Sequence, residues 1–124
     1  MSKFDTNAIT WFEIPTLNIE RASEFYETVL SVKLRAWPGS EPTRMFPIGP
    51  GGVGGCLVQR PQQKPVANGT LVYLNVDGRL DEVLDRAREN GIELVVPRTA
   101  IGGAFGFYAV LKDSEGNHIG LHSR

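Results

Sequence analysis

Apolar residues recur along the chain at two periods, one suited to strands and one to helices. In "AITWFEIP" they alternate with polar ones and are mostly β-branched or aromatic, which predicts a strand over residues 8–14 closed by Pro15. From residue 19 the period lengthens. Ile19, Ala22, Tyr26, Val29 and Leu30 share one helical face with Phe25 beside them, while Glu20, Arg21, Glu24 and Glu27 take the wet side and Asn18 can cap the first turn. Short extended pieces follow, "SVKLRAWP", "TRMFPIG" and "GGCLVQR", punctuated by Gly and Pro.

"PQQKPVANG" then carries two prolines, an Asn-Gly pair and hardly any apolar residue, and reads as a linker over about 60–69. Beyond it the plan returns. "TLVYLNV" is a strand, residues 79–90 form a helix with Leu80, Val83, Leu84 and Ala87 inward, and Asn90-Gly91 stops it. "IELVVP", "AFGFYAVLK" and "NHIGLHS" are three further extended pieces. The halves superpose at an offset of about sixty residues, Trp11 on Leu71 and Ile14 on Leu74, so a β-α-β-β-β unit occurs twice, over about 8–59 and 70–123. Each unit is too small to bury its own helix and sheet well, which predicts one α+β domain with a shared core.

Composition narrows the function. One cysteine in 124 residues excludes an internal disulfide, and 41% hydrophobic with 22% charged residues is ordinary for a globular protein. No apolar run is long enough to span a membrane and the N-terminus lacks a secretory signal pattern, so a cytoplasmic address is expected, with no membrane partner. A net charge of −1 without a Lys/Arg cluster argues against nucleic acid. Gly49 to Gly54 match the G-x-G-x-x-G spacing of a dinucleotide fingerprint, but strand-like "CLVQRP" follows where a helix is required, so a glycine-rich hairpin is expected.

The strand ending in "FEIP", then "ERASEFYETVL", "GTLVYLNVD", "ARENGIEL" and "LKDSEGNHIGL" together resemble the vicinal-oxygen-chelate superfamily, which includes glyoxalase I, extradiol dioxygenases and fosfomycin and bleomycin resistance proteins. The resemblance spans essentially the whole chain. It implies two βαβββ modules forming a half-open curled sheet around a cavity, commonly in a homodimer, for which exposed sheet edges supply a physical motive. In metal-dependent members of the superfamily, four ligands come from the first and fourth strands of both modules. Carried onto this chain, those positions fall on Trp11, Gly55 or Cys56, Leu71 and Gly120. Indole, isobutyl and hydrogen do not coordinate a divalent cation, and only a Cys56 thiolate could, so neither a metal nor any other cofactor is expected.

The two histidines, His118 and His122, lie four apart in the last strand. They share a face but stand roughly 13 Å apart at about 3.3 Å per residue, too far for one ion. They are either polar walls of a pocket or a turn histidine and a fraying terminus. Glu13 shares a strand face with Trp11, where a carboxylate facing a cavity suits proton transfer; alternatively it pairs with an arginine such as Arg35 or Arg44. Cys56 has no neighbouring base in "GGCLV" and reads as a buried strand cysteine. Met45, Tyr73, Phe107 and Tyr108 sit on strands, where they line the cavity or fill it.

Two functions follow. One is a metal-free binding protein holding a small molecule between its modules, with Trp11, Met45, Tyr73, Tyr108, His118 and His122 as contacts. The other is a metal-independent lyase or isomerase, related to lactoylglutathione lyase, with Glu13 as acid and base.

Overall fold

A computed structural model of the chain describes residues 7–39 and 41–124. The first half runs β1 (Trp11–Pro15), α1 (Ile19–Leu30), β2 (Arg35–Ala36), β3 (Thr43–Met45) and β4 (Gly54–Val58). The second repeats it as β5 (Val72–Asn75), α2 (Leu80–Glu89), β6 (Leu94–Ala100), β7 (Phe107–Lys112) and β8 (His118–Ser123). The strands form two open four-stranded mixed sheets, ordered β1-β4-β3-β2 and β5-β8-β7-β6. In each, the first strand runs parallel to the fourth and the remaining pairs are antiparallel. This is the α+β plan of two βαβββ modules that the duplication predicts.

Helix α1 forms as its spacing requires. The Asn18 side chain accepts the Arg21 N–H at 3.0 Å, and Ser31, left-handed at φ 55°, ends the helix. Ile19, Ala22, Tyr26, Val29 and Leu30 are all buried, as are Leu80, Val83, Leu84 and Ala87 of α2. Each large apolar side chain so buried contributes roughly 1.5–3 kcal/mol relative to exposure. One core takes them all: Ile14, Tyr26 and Leu57 of the first module join Leu74, Val83 and Leu121 of the second. Arg79 and Arg86 of the second module donate to the Leu30 and Val29 carbonyls at the end of α1, both at 2.9 Å. Those bonds satisfy carbonyls that a helix end leaves open.

The turn before β8 is a second joint between the modules. Asp113 Oδ1 accepts the Glu115 and Asn117 amides at 2.9 Å, folding "DSEGN" tightly around Gly116 at φ +96°. From this turn Asn117 Nδ2 donates to the Pro15 carbonyl, Asp113 Oδ2 accepts the Tyr26 hydroxyl at 2.5 Å, and Glu115 Oε1 accepts the Leu17 and Asn18 amides at 2.8 Å. The second module thus holds the entry to α1.

Some boundaries differ from the periodic reading. Residues 8–10 stand outside β1, and residues 104 and 105 belong to a 3-10 turn, not to β7. β6 continues through Pro97 to Ala100, because it is an edge strand whose ladder shifts register between Val96 and Thr99. The glycine run at 49–54 makes a turn, Gly52 N–H to Gly49 O at 3.1 Å, and enters β4 with no helix. No helix among the described residues is long and apolar enough to cross a membrane.

Candidate functional site

Strand alternation gives each sheet one face toward the helices and one away from them. On β1, Phe12 and Ile14 point to the core while Trp11 and Glu13 take the helix-free face. On β5, Val72 and Leu74 point inward and Tyr73 outward. The helix-free faces keep unusually large apolar side chains exposed: Trp11 at 46%, Tyr73 at 49% and Leu71 at 38%.

On the first sheet, the register aligns Glu13 with Cys56, Cys56 with Met45 and Met45 with Arg35. A Cβ on Gly54 would stand 3.1 Å from Ile48 and 3.5 Å from Trp11, so the indole and Ile48 close over that glycine. A Cβ on Gly55 would meet the Phe12 ring at 2.3 Å, on the core side. Of Gly55 and Cys56, therefore, only Cys56 shares the face of Trp11.

Glu13 is ion-paired, but with neither Arg35 nor Arg44. Its Oε1 accepts from Arg60 at 2.8 Å, while Arg44 is engaged by Glu20. Arg60 also donates to Glu41 and to the Gln63 side chain, making a two-carboxylate clamp on one guanidinium. The bond from Arg60 lowers the Glu41 pKa, and the bonds to Glu41 and Glu13 raise that of Arg60. Sequence reasoning missed Arg60, although Cys56, Val58 and Arg60 share one strand parity.

Burial, reinforced by the Glu13 charge, pushes the Cys56 thiol up to about 11, against the opposing pull of Arg60 and a hydrogen bond from Trp11. The thiol is thus protonated at neutral pH and is not a ready nucleophile.

On the second sheet, Tyr73 lies opposite Gly120 and Tyr108 opposite His122. The two tyrosine rings meet edge to face, 6.1 Å between centroids. His122 Nε2 is 2.7 Å from the Phe105 carbonyl, so Nε2–H donates and Nδ1 is left to face other partners. Phe105 itself is 69% exposed at the tip of the Gly102–Gly106 loop. Phe107 turns the other way, against the core, with Arg98 over its ring at 3.9 Å.

The structure therefore gathers the sequence-predicted residues in two groups: Trp11, Glu13, Met45 and Cys56 on one sheet, and Tyr73, Tyr108 and His122 on the other, with Leu71 and His118 flanking them. Among the clefts lined by both modules, two measure about 210 Å³ each. His118 lines one with Ile14, Asn117 and Lys64. The other, walled by residues such as Phe12, Phe46 and Leu74, includes none of the predicted ligand contacts.

For a metal of the kind the superfamily uses, the donor chemistry does not fit. The positions that the resemblance implies, Trp11, Gly55 or Cys56, Leu71 and Gly120, offer an indole, a hydrogen or a single thiol, an isobutyl group and a hydrogen. No cluster of three or more His, Cys, Asp or Glu side chains among the described residues is arranged to hold an ion.

Paired βαβββ modules with helix-free faces define the class. The chain belongs to the glyoxalase/bleomycin resistance protein/dioxygenase superfamily, whose family model matches residues 8–121. Among solved structures it is similar to an integron cassette protein of V. cholerae, with 18% identity, 97% of each chain covered and a TM-score of 0.68. It is likewise similar to FosX, a fosfomycin resistance protein of Listeria monocytogenes, at 12% identity, covering 96% of this chain and 91% of that one with a TM-score of 0.69. A trypanothione-dependent glyoxalase I of Leishmania major matches at 17% identity, covering 95% and 87%, with a TM-score of 0.67. At these identities the likeness is one of fold. No curated protein sequence matches the chain.

Proposed function

We propose that this protein is a metal-free, cytoplasmic member of its superfamily that binds a small molecule against the helix-free sheet faces, with a second copy of the chain covering them. The observation that carries the reading is the exposure of Trp11 and Tyr73 on strands whose opposite faces are buried in the core, with Leu71 exposed just before β5. Aromatic side chains held this rigidly offer stacking surface at little entropic cost, and a homodimer would remove them from water. Tyr73, Tyr108 and His122 supply ring faces and polar tips, while Trp11 and Met45 supply apolar contact on the other sheet.

The competing reading is a metal-independent lyase or isomerase with Glu13 as acid and base. Its support is that Glu13 lies beside Trp11 on the exposed face; the Arg60 pair counts against it, because a carboxylate committed to a guanidinium is a poorer proton shuttle.

Metal analysis by mass spectrometry is expected to find far less than one equivalent of Zn, Ni or Fe per chain, and one equivalent would overturn the metal-free reading. Sedimentation equilibrium is expected to give a dimer that Trp11→Glu or Leu71→Glu dissociates; a monomeric parent protein would overturn the pairing. In a metabolite thermal-shift screen, any compound that binds is expected to lose its effect in Tyr73→Ala. Turnover of such a compound that vanishes in Glu13→Gln while binding persists would establish the enzyme instead.

A further inference from the structure

The junction cleft that sequence reasoning overlooked has the chemistry of a ligand site. Its volume is about 210 Å³, and its walls are apolar, with Phe12, Leu30 and Phe46 from the first module and Leu74 and Val76 from the second. Two polar residues also line it, Asn75 and Arg79, and Arg79 reaches it with its guanidinium. No acidic residue lines it.

Arg79 is held for recognition. One guanidinium nitrogen donates to the Leu30 carbonyl at 2.9 Å, which fixes the side chain across the module junction. The seven ion pairs among the described residues leave it without a carboxylate partner, whereas Arg21, Arg44, Arg86, Arg88 and Arg98 have one each and Arg60 has two. A partly buried guanidinium with spare donors beside an apolar wall favours a carboxylate, which it can meet with two parallel bonds. Because the space is below the roughly 300–1,000 Å³ of sites for drug-sized molecules, the occupant is a small one.

We infer that the cleft between the modules at Arg79 binds a small monocarboxylate with an apolar tail, the tail among Phe12, Phe46 and Leu74 and the carboxylate on Arg79. This site is separate from the helix-free faces and stands or falls independently of the function proposed for them.

The test is titration of the full-length protein with hexanoate and with phenylacetate, followed through the methyl resonances of Leu30, Leu74 and Val76. Saturable shifts at those methyls are expected, with hexanamide about tenfold weaker than hexanoate, the loss expected when a charge-assisted bond is replaced by a neutral one. Arg79→Met is expected to weaken hexanoate to the same extent. Val53→Trp, a substitution at a rim position that leaves the Arg79–Leu30 bond intact, is expected to block binding by filling the cleft. Absence of shifts with both acids, equal binding of acid and amide, unchanged affinity in both variants, or shifts confined to Tyr73 and Tyr108 would each overturn the inference.

Discussion

The Tyr73 ring lies flat across Gly120, so close that a Cβ there would stand 2.4 Å from Tyr73 Cδ1. The glycine is therefore a packing requirement of the tyrosine. Gly120→Ala is expected to lower stability by about 1–3 kcal/mol, the usual cost of overpacking. In a Tyr73→Ala background the same change is expected to cost much less, since the clash is gone. Urea denaturation of the four proteins in the cycle measures that coupling, and equal costs in both backgrounds would show that the ring simply swings aside.

Glu115 ties stability to pH. Burial pushes its carboxyl up, but hydrogen bonds from Arg21, Ser114 and the Asn18 and Leu17 amides outweigh it and hold the pKa at about 2, below the ordinary 4.5. A depressed carboxyl stabilises the folded state above its unfolded pKa, and that contribution fades as pH falls from about 4.5 toward about 2. Glu115→Gln is expected to lose on the order of 1–3 kcal/mol at neutral pH, by loss of charge-assisted bonds. The gap from the parent protein should narrow on acidification through that window. Denaturant midpoints measured across the range check this, and a gap that is constant with pH would contradict it.

Tyr26 and Asp113 make a buried polar joint between the modules. Burial, and then the Asp113 charge, raise the Tyr26 pKa well above 10, so the phenol remains a donor. Tyr26→Phe removes one partner of Asp113 and is expected to cost about 1–3 kcal/mol. Asp113→Ala should cost more, because Oδ1 also holds the Glu115 and Asn117 amides and Oδ2 the Asn117 side chain. Thermal unfolding of the two variants should rank them in that order; the reverse order would show that the turn does not depend on the aspartate.

Cys56 is expected to resist alkylation in the native protein at mildly alkaline pH and to react fully once unfolded, since it is 2% exposed and its pKa is near 11. Mass spectrometry after iodoacetamide treatment reads both states. Rapid native labelling would mean that the strand opens far more readily than its burial implies.

Much of the fold was written in local pattern. The apolar residues that α1 buries are those its period marked, with Ser23 buried beside them, Asn18 caps where its side chain could reach Arg21 N–H, and Glu82 meets Arg86 one turn on at 3.0 Å. These depend on neighbours within one helical turn, and so does the stop at Gly91, which takes a left-handed φ of +68°. The site was less legible. Face parity put Trp11 with Glu13 and His118 with His122, but Glu13's partner is Arg60, 47 residues away, and the ambiguity between Gly55 and Cys56 ended only with the register against Phe12 and Glu13.

The sequence by itself determined two helices, the duplicated order of strands and the apolar residues each helix turns inward, because period and turn chemistry act over a few residues. Only the tertiary structure decided that Glu115 of the second module holds the start of α1, that Tyr73 lies over Gly120, and that Arg79 stands by an apolar cleft without a carboxylate. Those relations join strands and loops far apart in the chain, and their geometry is fixed by sheet register and by the packing of one module on the other, which no local pattern encodes.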